Sequence, residues 1–375
     1  MKKLRIAVVI PTHFDVKSSL INLLKLYRHL MKTNNVEVAI FTDRKNDVAY
    51  EGFKIVKIKG FDYKTPVEKL LFLLGIPRFY YTDLVQKLED YDVIESSNPE
   101  FYGFAYQSYL AAKKYNKRLF YRTSQTVDGF FLFKLSKYFV VPMARNAYDY
   151  ARFLLFTNPE AEKRCLRLGL INNTKKDIII GHATDTKCFQ PLKRKRKSGK
   201  NILLSVGGLY KIKGHHLIIQ ALKKIIDDGF DAELWIVGEG YFRKSLLKLA
   251  VDLKISSKVK FLGNKSHEEL ARLYNESDIF VLANYQEITP AVNEALACGK
   301  PVVVMECGGR EFVLPNEEYG LVCKKFDVDD MTKKIKLLIE DKNLRQKIAN
   351  KGRQHVLANF SIEQVARKFY KAATG

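Results

Sequence analysis

Two carboxylates, Glu287 and Glu294, flank a helix start in the stretch QEITPAVNEALACGKPVVV (residues 286–304). Thr289 followed by Pro290 reads as an N-cap with proline at the first helical position. Ala291, Val292, Ala295 and Leu296 continue the turn, and Gly299 then Pro301 end it. A helix start offers backbone N–H groups to a phosphate. The carboxylates are unsuited to phosphate but accept hydrogen bonds from sugar or ribose hydroxyls. On spacing alone an alternative stands: Glu287 as a solvated loop residue and Glu294 as an exposed helix position.

A second constellation is VGGLYKIKG (206–214), where a strand ends in Gly207 and Gly208, and Lys211, Lys213 and Gly214 precede a helix that begins near His215. Glycine lets backbone approach a ligand, and a lysine beside a helix start suits a diphosphate. The Walker spacing is absent, and VGEG (237–240) lacks the third glycine of a dinucleotide fingerprint. Asp327 and Asp329 form a D-x-D triplet, but they stand before a helix and read as caps rather than metal ligands. His13 and His182 each end a strand, the ligand-facing edge of an open α/β sheet, so each is a contact for acceptor or sugar or a satisfied loop histidine.

The elements that must position these groups are legible as short β-branched runs separated by helical stretches. RIAVVIP (5–11), EVAIFTD (37–43), YDVIESS (91–97) and RLFYRTS (118–124) stand in the first half; NILLSVGG (201–208), AELWIVGEG (232–240), DIFVLAN (278–284) and KPVVVMEC (300–307) stand in the second. Near-continuous apolar strands alternating with helices mean parallel sheets covered on both faces, here as two doubly wound α/β domains. The join falls at PLKRKRKSGK (191–200), which is cationic and without apolar periodicity. FSIEQVARKFYKAATG (360–375) has helical spacing at Ile362, Val365, Ala366 and Phe369 and reads as a helix packing back onto the protein.

A length of 375 residues favours two domains, and 47% hydrophobic with 28% charged residues excludes wholesale disorder. The formal charge of +23 favours anionic partners: phosphorylated small molecules, an acidic membrane surface or nucleic acid. The five scattered cysteines lack CxxC spacing and read as free thiols. MKKLRIAVVIPTHFD imitates a signal peptide, yet its short apolar run without a small-residue cleavage site reads as a first strand. Together these give a cytoplasmic protein, peripheral at the inner membrane face if the membrane reading holds. The aromatic, cation-bearing stretches at 69–81 and 130–156 divide between core helices and a surface for membrane or lipid-linked acceptor.

The motifs ILLSVGGLYKIKGHHLIIQAL, LWIVGEGYFRKSLLKLA, VKFLGNKSHEELARLYNESDIFVLAN and QEITPAVNEALACGKPVVV stand in the order and spacing of a family-4 retaining glycosyltransferase of the glycosyl transferases group 1 type. The resemblance is strong over residues 200–325 and looser elsewhere. It implies the GT-B fold: an acceptor-binding Rossmann-like domain at 1–190, a linker at 191–200, a nucleotide-sugar-binding Rossmann-like domain at 201–358, and a helix at 359–375 crossing back to the first domain. It further implies that Glu294 holds the ribose hydroxyls and Glu287 contacts the transferred sugar. The loop amides at Ile288 and Thr289, with Lys213, neutralise the diphosphate.

This sequence departs from the family in ways that bear on the site. The acid pair is one residue closer than usual, so either the loop is shortened at Glu287 or Gln286 takes the first-acid position; the spacing from Glu287 to Pro290 favours Glu287. Gly208 stands where an arginine is common, leaving Lys211 as the candidate to compensate. PTHFDVKSS replaces the usual glycine-rich loop after the first strand, and Thr123, Ser124 and Gln125 stand where a histidine often does.

The reading is therefore metal-independent transfer, with retention, from a UDP- or GDP-linked sugar to a glycan or lipid-linked acceptor. It needs no cofactor beyond the nucleotide-diphospho-sugar as co-substrate, and it expects no nucleic acid. Closure about 191–200 would exclude water. The alternatives are an epimerase or phosphorylase on the same fold, and a basic anion- or nucleic-acid-binding module without transfer activity.

Overall fold

The apolar runs of the second half form a six-stranded parallel sheet in the order β12-β11-β10-β13-β14-β15. Its strands are β10 (Asn201–Val206), β11 (Ala232–Val237), β12 (Val259–Phe261), β13 (Ile279–Leu282), β14 (Val302–Met305) and β15 (Leu321–Cys323). β13 is buried along its whole length and β11 nearly so, as expected of strands covered on both faces. The chain leaves β10 outward to β11 and β12, then returns to the other side of β10 as β13. The carboxyl ends of β10 and β13 are thus a topological switch point, where the loops diverge and leave a crevice.

The first-half runs form a seven-stranded parallel sheet in the order β3-β2-β1-β6-β7-β8-β9. It comprises β1 (Leu4–Val9), β2 (Val36–Thr42), β3 (Lys54–Lys57), β6 (Val93–Ser96), β7 (Arg118–Thr123), β8 (Phe153–Phe156) and β9 (Asp177–Ile179), with β4 (Gly60–Phe61) and β5 (Tyr80–Tyr81) as a small antiparallel pair. The computed structural model describes residues 3–10, 18–43, 51–61, 80–100, 103–124, 136–192 and 199–375. His13, Gln125 and the whole cationic run at 193–197 lie outside the described residues.

Helices cover the first sheet: α1 (Ser18–Thr33), α2 (Leu84–Lys87), α3 (Gly103–Tyr115), α4 (Ser136–Tyr150) and α5 (Pro159–Arg167). The second carries α6 (His215–Asp227), α7 (Arg243–Asp252), α8 (His267–Glu276), α9 (Pro290–Ala297), α10 (Arg310–Val313), α11 (Val328–Glu340) and α12 (Lys342–Asn359). The last helix, α13 (Ile362–Thr374), belongs to the first unit. Its buried residues are the periodic set Ile362, Val365, Ala366 and Phe369, continued by Ala372 and Ala373. Phe369 meets Tyr27 of α1 edge-on at 5.7 Å and Phe120 of β7 at 5.8 Å.

The chain thus divides into Met1–Ala183 with Ile362–Gly375, and Thr184–Ser361. The boundary lies upstream of the cationic stretch, because Phe189 is buried in the second unit and the Leu192 amide donates to Asn275 Oδ1 at 2.8 Å. No described helix is long and apolar enough to cross a membrane.

One buried polar cluster organises the first unit. Glu100 Oε1 accepts from Arg164 Nη1 at 2.9 Å and from Asn98 Nδ2 at 3.1 Å, and Glu100 Oε2 accepts from the Tyr148 hydroxyl at 2.8 Å. Both charged residues are fully buried. Asp177 opens β9, where burial, and then the neighbouring Glu162 carboxylate, push its pKa up to about 7. Its folded pKa exceeds the unfolded value, so the folded state holds the extra proton between about pH 4 and 7 and stability falls as pH rises through that window. Asp177→Asn is accordingly expected to raise stability at pH 8 by about 1 kcal/mol, after allowing for solvent screening, and to flatten that slope. Urea unfolding across this pH range checks both.

Candidate donor site in the second unit

The crevice between β10 and β13 collects the two constellations singled out above. After β10, the Gly207 amide donates to the Val237 carbonyl at 3.0 Å, and Leu209 exchanges hydrogen bonds with the next loop through Glu239 and Phe242. Lys211–Lys213 then form a single 3-10 turn, closed by Gly214 at φ +69°. A Cβ on Gly214 would stand 2.1 Å from the Ala283 carbonyl oxygen, so only glycine lets this loop lie against the end of β13. The Tyr285 amide donates to the Ile212 carbonyl at 3.4 Å, joining the two loops directly.

The two lysines differ in burial. Lys213 is half-buried, with its Cδ 4.0 Å from the point where a Gly207 side chain would begin, so it lies over the strand end. Lys211 is exposed and lies near His216, whose pKa is lowered by burial first and by this cation second. Gly208 itself lies beneath the Tyr210 ring, which a Cβ there would meet at 2.6 Å, so an aromatic edge occupies the room a side chain at 208 would need.

Beneath this loop sits His215, which the sequence reading used only to mark a helix start. It is 2% exposed, and its Nδ1 lies 3.2 Å from Ser205 Oγ on β10. Burial pushes its pKa down to about 4, so the imidazole is neutral at pH 7. Its Nε2 makes no hydrogen bond among the described residues and lies 3.8 Å from the Gly207 Cβ position.

After β13 the chain passes through Asn284, which is 1% exposed and fixes the loop from within. Its Nδ2 donates to the Glu287 carbonyl at 2.8 Å and its Oδ1 accepts from the Gln286 amide at 3.2 Å. Glu287 then bridges Gly308. One expectation is corrected here: the Ile288 amide donates to the Gly308 carbonyl at 3.0 Å rather than facing a ligand, and its side chain is buried in the core. Glu287 is half-buried and close to Cys307, whose thiol burial, and then this carboxylate, push up to about 12.

Thr289 and Pro290 start α9 as the sequence predicts, but the cap is conformational: the Thr289 hydroxyl makes no capping bond, and its Oγ1 is buried without a partner among the described residues. Glu294 is 2% exposed, so the reading of it as an exposed helix position is overturned. Its Oε2 accepts from the Tyr274 hydroxyl of α8 at 3.1 Å, and the same hydroxyl lies 3.2 Å from the Ala291 carbonyl. A carboxylate held inside a helix layer by a tyrosine has a fixed direction, which is what recognition of a vicinal diol requires.

The remaining candidates settle elsewhere. Asp327 caps α11 by accepting from the Asp330 amide at 2.8 Å, and Asp329 pairs with Lys224. No cluster of potential metal ligands occurs among the described residues. His182 follows β9 in the first unit, where burial and then Arg122 hold its pKa down to about 4.

The two doubly wound parallel sheets match known proteins in fold. Residues 189–355 match the family Glycosyl transferases group 1. The fold is GT-B: a glycosyltransferase of Rickettsia africae aligns with a TM-score of 0.78 at 18% identity over 100% of this chain and 98% of its own. HepE of Anabaena, solved with UDP and glucose, aligns at 0.77 and 15% identity over 99% of this chain and 100% of its own.

Among curated relatives of this group 1 segment, the lipopolysaccharide core biosynthesis glycosyltransferase LpsE of Rhizobium meliloti is 28% identical over 165 residues, covering 44% of this chain and 47% of LpsE. The GDP-mannose-dependent monoacylated alpha-(1-6)-phosphatidylinositol monomannoside mannosyltransferase of Corynebacterium glutamicum is 33% identical over 160 residues, covering 40% of this chain and 41% of that protein. The chain thus spans about half the length of the curated relatives it matches.

Proposed function

We propose that this chain is a retaining glycosyltransferase that takes a sugar from a UDP- or GDP-linked donor bound in the second unit. The observation that carries the reading is Glu294, buried and aimed by Tyr274, one helical turn inside α9 and beside the loop that carries Lys213. Glu294 would hold the ribose diol, and Lys213 with the N-terminus of α9 would hold the diphosphate. Support for a UDP donor comes from HepE, solved with UDP and glucose, and for a GDP donor from the mannosyltransferase named above. The acceptor class, a glycan or lipid-linked sugar, rests on the names of LpsE and that mannosyltransferase.

The chemistry is charge management. As the glycosidic bond lengthens, the sugar gains oxocarbenium character and negative charge grows on the diphosphate. A fixed cation and helix start stabilise that charge more in the transition state than in the ground state. Glu287 faces the transferred sugar in this reading, with Gln286 as its rival. Positive charge at the site is supplied by the chain, so the reading asks for no metal, and activity is expected to survive chelation by EDTA.

Release of nucleoside diphosphate from a panel of UDP- and GDP-sugars, with the anomeric configuration of the product read by NMR, tests the proposal. Release with retained configuration, lost in Glu287→Ala but not in Gln286→Ala, supports it; an inverted product or no release from any donor contradicts it. Tyr274→Phe gives a finer check. It is expected to weaken nucleotide binding about tenfold while leaving binding of the 2′-deoxy nucleotide nearly unchanged, since the lost hydrogen bond acts only through the carboxylate on the diol.

A further inference from the structure

Four of the nine large apolar side chains exposed among the described residues, Tyr210, Tyr241, Leu247 and Val251, share one strip of the second unit. Tyr241 is 77% exposed and packs its ring 5.4 Å from that of Tyr210. α7 follows at once, and its outward face carries Lys244 and Lys248 four residues apart, with Leu247 and Val251 at the same spacing beside them. Residues four apart share a helix face. Lys211 at one end and Lys254 at the other are exposed as well. The acidic groups on this surface are each engaged: Asp252 with Lys248 at 3.0 Å and Glu239 with Arg243 at 3.7 Å. Lys244, Lys211 and Lys254 make no ion pair among the described residues.

We propose that this strip is the surface by which the protein lies on an anionic lipid bilayer. Three features favour lipid over a protein partner. Cations alternate with apolar side chains along the helix instead of ringing an apolar centre, which is the usual plan of a protein interface. Lysine stems lie along apolar surface while their ammonium groups reach outward to headgroup phosphates. Exposed tyrosines suit the boundary between headgroup and acyl chain, with the ring in the apolar layer and the hydroxyl in the wet one. The net charge of +23 strengthens long-range attraction to such a surface. The contact is shallow and electrostatic, so it weakens as salt rises.

The test is co-sedimentation of the full chain with vesicles of phosphatidylcholine alone and of phosphatidylcholine mixed with phosphatidylglycerol, at low and physiological salt. Three double variants accompany the unmodified protein. They are Lys244→Glu with Lys248→Glu, Tyr241→Ser with Val251→Ser, and, as a control of equal charge on other helices outside the strip, Lys333→Glu with Lys342→Glu. The expected result is binding to the mixed vesicles only, reduced at least about 100-fold by the first pair and about tenfold by the second, and within about threefold of the unmodified protein for the control. All the substituted side chains are exposed, so folding is preserved. No binding to anionic vesicles overturns the proposal. So does an α7 pair that binds like the unmodified protein, or a control that loses as much as the α7 pair. None of these residues belongs to the donor crevice, so nucleotide-induced stabilisation is expected in every variant and its failure would bear on the donor reading alone.

Discussion

Replacing Lys213 by methionine is expected to lower kcat/KM for the nucleotide sugar about a hundred- to a thousand-fold, the usual cost of removing a preorganised charge from a transition state. The size follows from how little else at the end of β10 is cationic. Gly208 contributes no side chain, and Lys211 is exposed, near enough to His216 to lower its pKa. Among the described residues Lys213 is the cation placed against Gly207, on a turn that Gly214 pins against Ala283. The diphosphate gains charge as the glycosidic bond breaks, so the loss falls mainly on kcat and less on KM. Lys213 is half-buried in a surface loop and belongs to no core cluster, so the melting temperature without ligand stays close to that of the unmodified protein. Gly208→Arg is not expected to rescue the variant unless Tyr210 is shortened, because the Tyr210 ring holds that space. A change in KM alone would place the lysine in ground-state binding and count against this role.

The second large effect concerns stability. Glu100→Gln is expected to cost about 3–5 kcal/mol, because it leaves the Arg164 guanidinium buried without its counter-charge. The substitution keeps the shape of the side chain, so packing changes little and the loss reports the charge. Glu100 also accepts from Tyr148 and Asn98, so the cluster ties the end of the β6 strand to α4 and α5. Replacing Glu100 and Arg164 together by leucine and methionine is expected to recover part of the loss, since an apolar pair has no charge to desolvate. Chemical unfolding of the three proteins measures both, and a loss below about 1 kcal/mol for Glu100→Gln would show that the pair contributes little.

These two clusters show what a sequence does and does not make legible. The strands, their parallel pairing and the returning helix α13 follow from local apolar runs and from helical spacing at Ile362, Val365, Ala366 and Phe369. The site loops were equally local: a glycine pair after one strand, a Thr-Pro pair before one helix. What remained hidden is pairwise and distant. Tyr274 and Glu294 lie on separate helices, Glu100 and Arg164 are separated by four elements, and nothing in either local pattern announces a partner. The Ser205–His215 contact looks close in sequence, yet it forms only because the chain reverses through Gly214 and lays α6 back along β10. The Ile288 amide was expected at a ligand because the family resemblance implies it. The neighbouring loop at Gly308 claims it, and that loop's position depends on β14.

The site reading stands or falls on whether a nucleotide stabilises this chain through Glu294. A thermal-shift series with UDP, GDP, ADP and CMP, on the unmodified protein and on Glu294→Ala, measures this directly. The account predicts that UDP or GDP alone raises the melting temperature, in proportion to the logarithm of its concentration above Kd, and that the shift disappears in the variant. A shift that persists in Glu294→Ala, or none with any nucleotide, would contradict it.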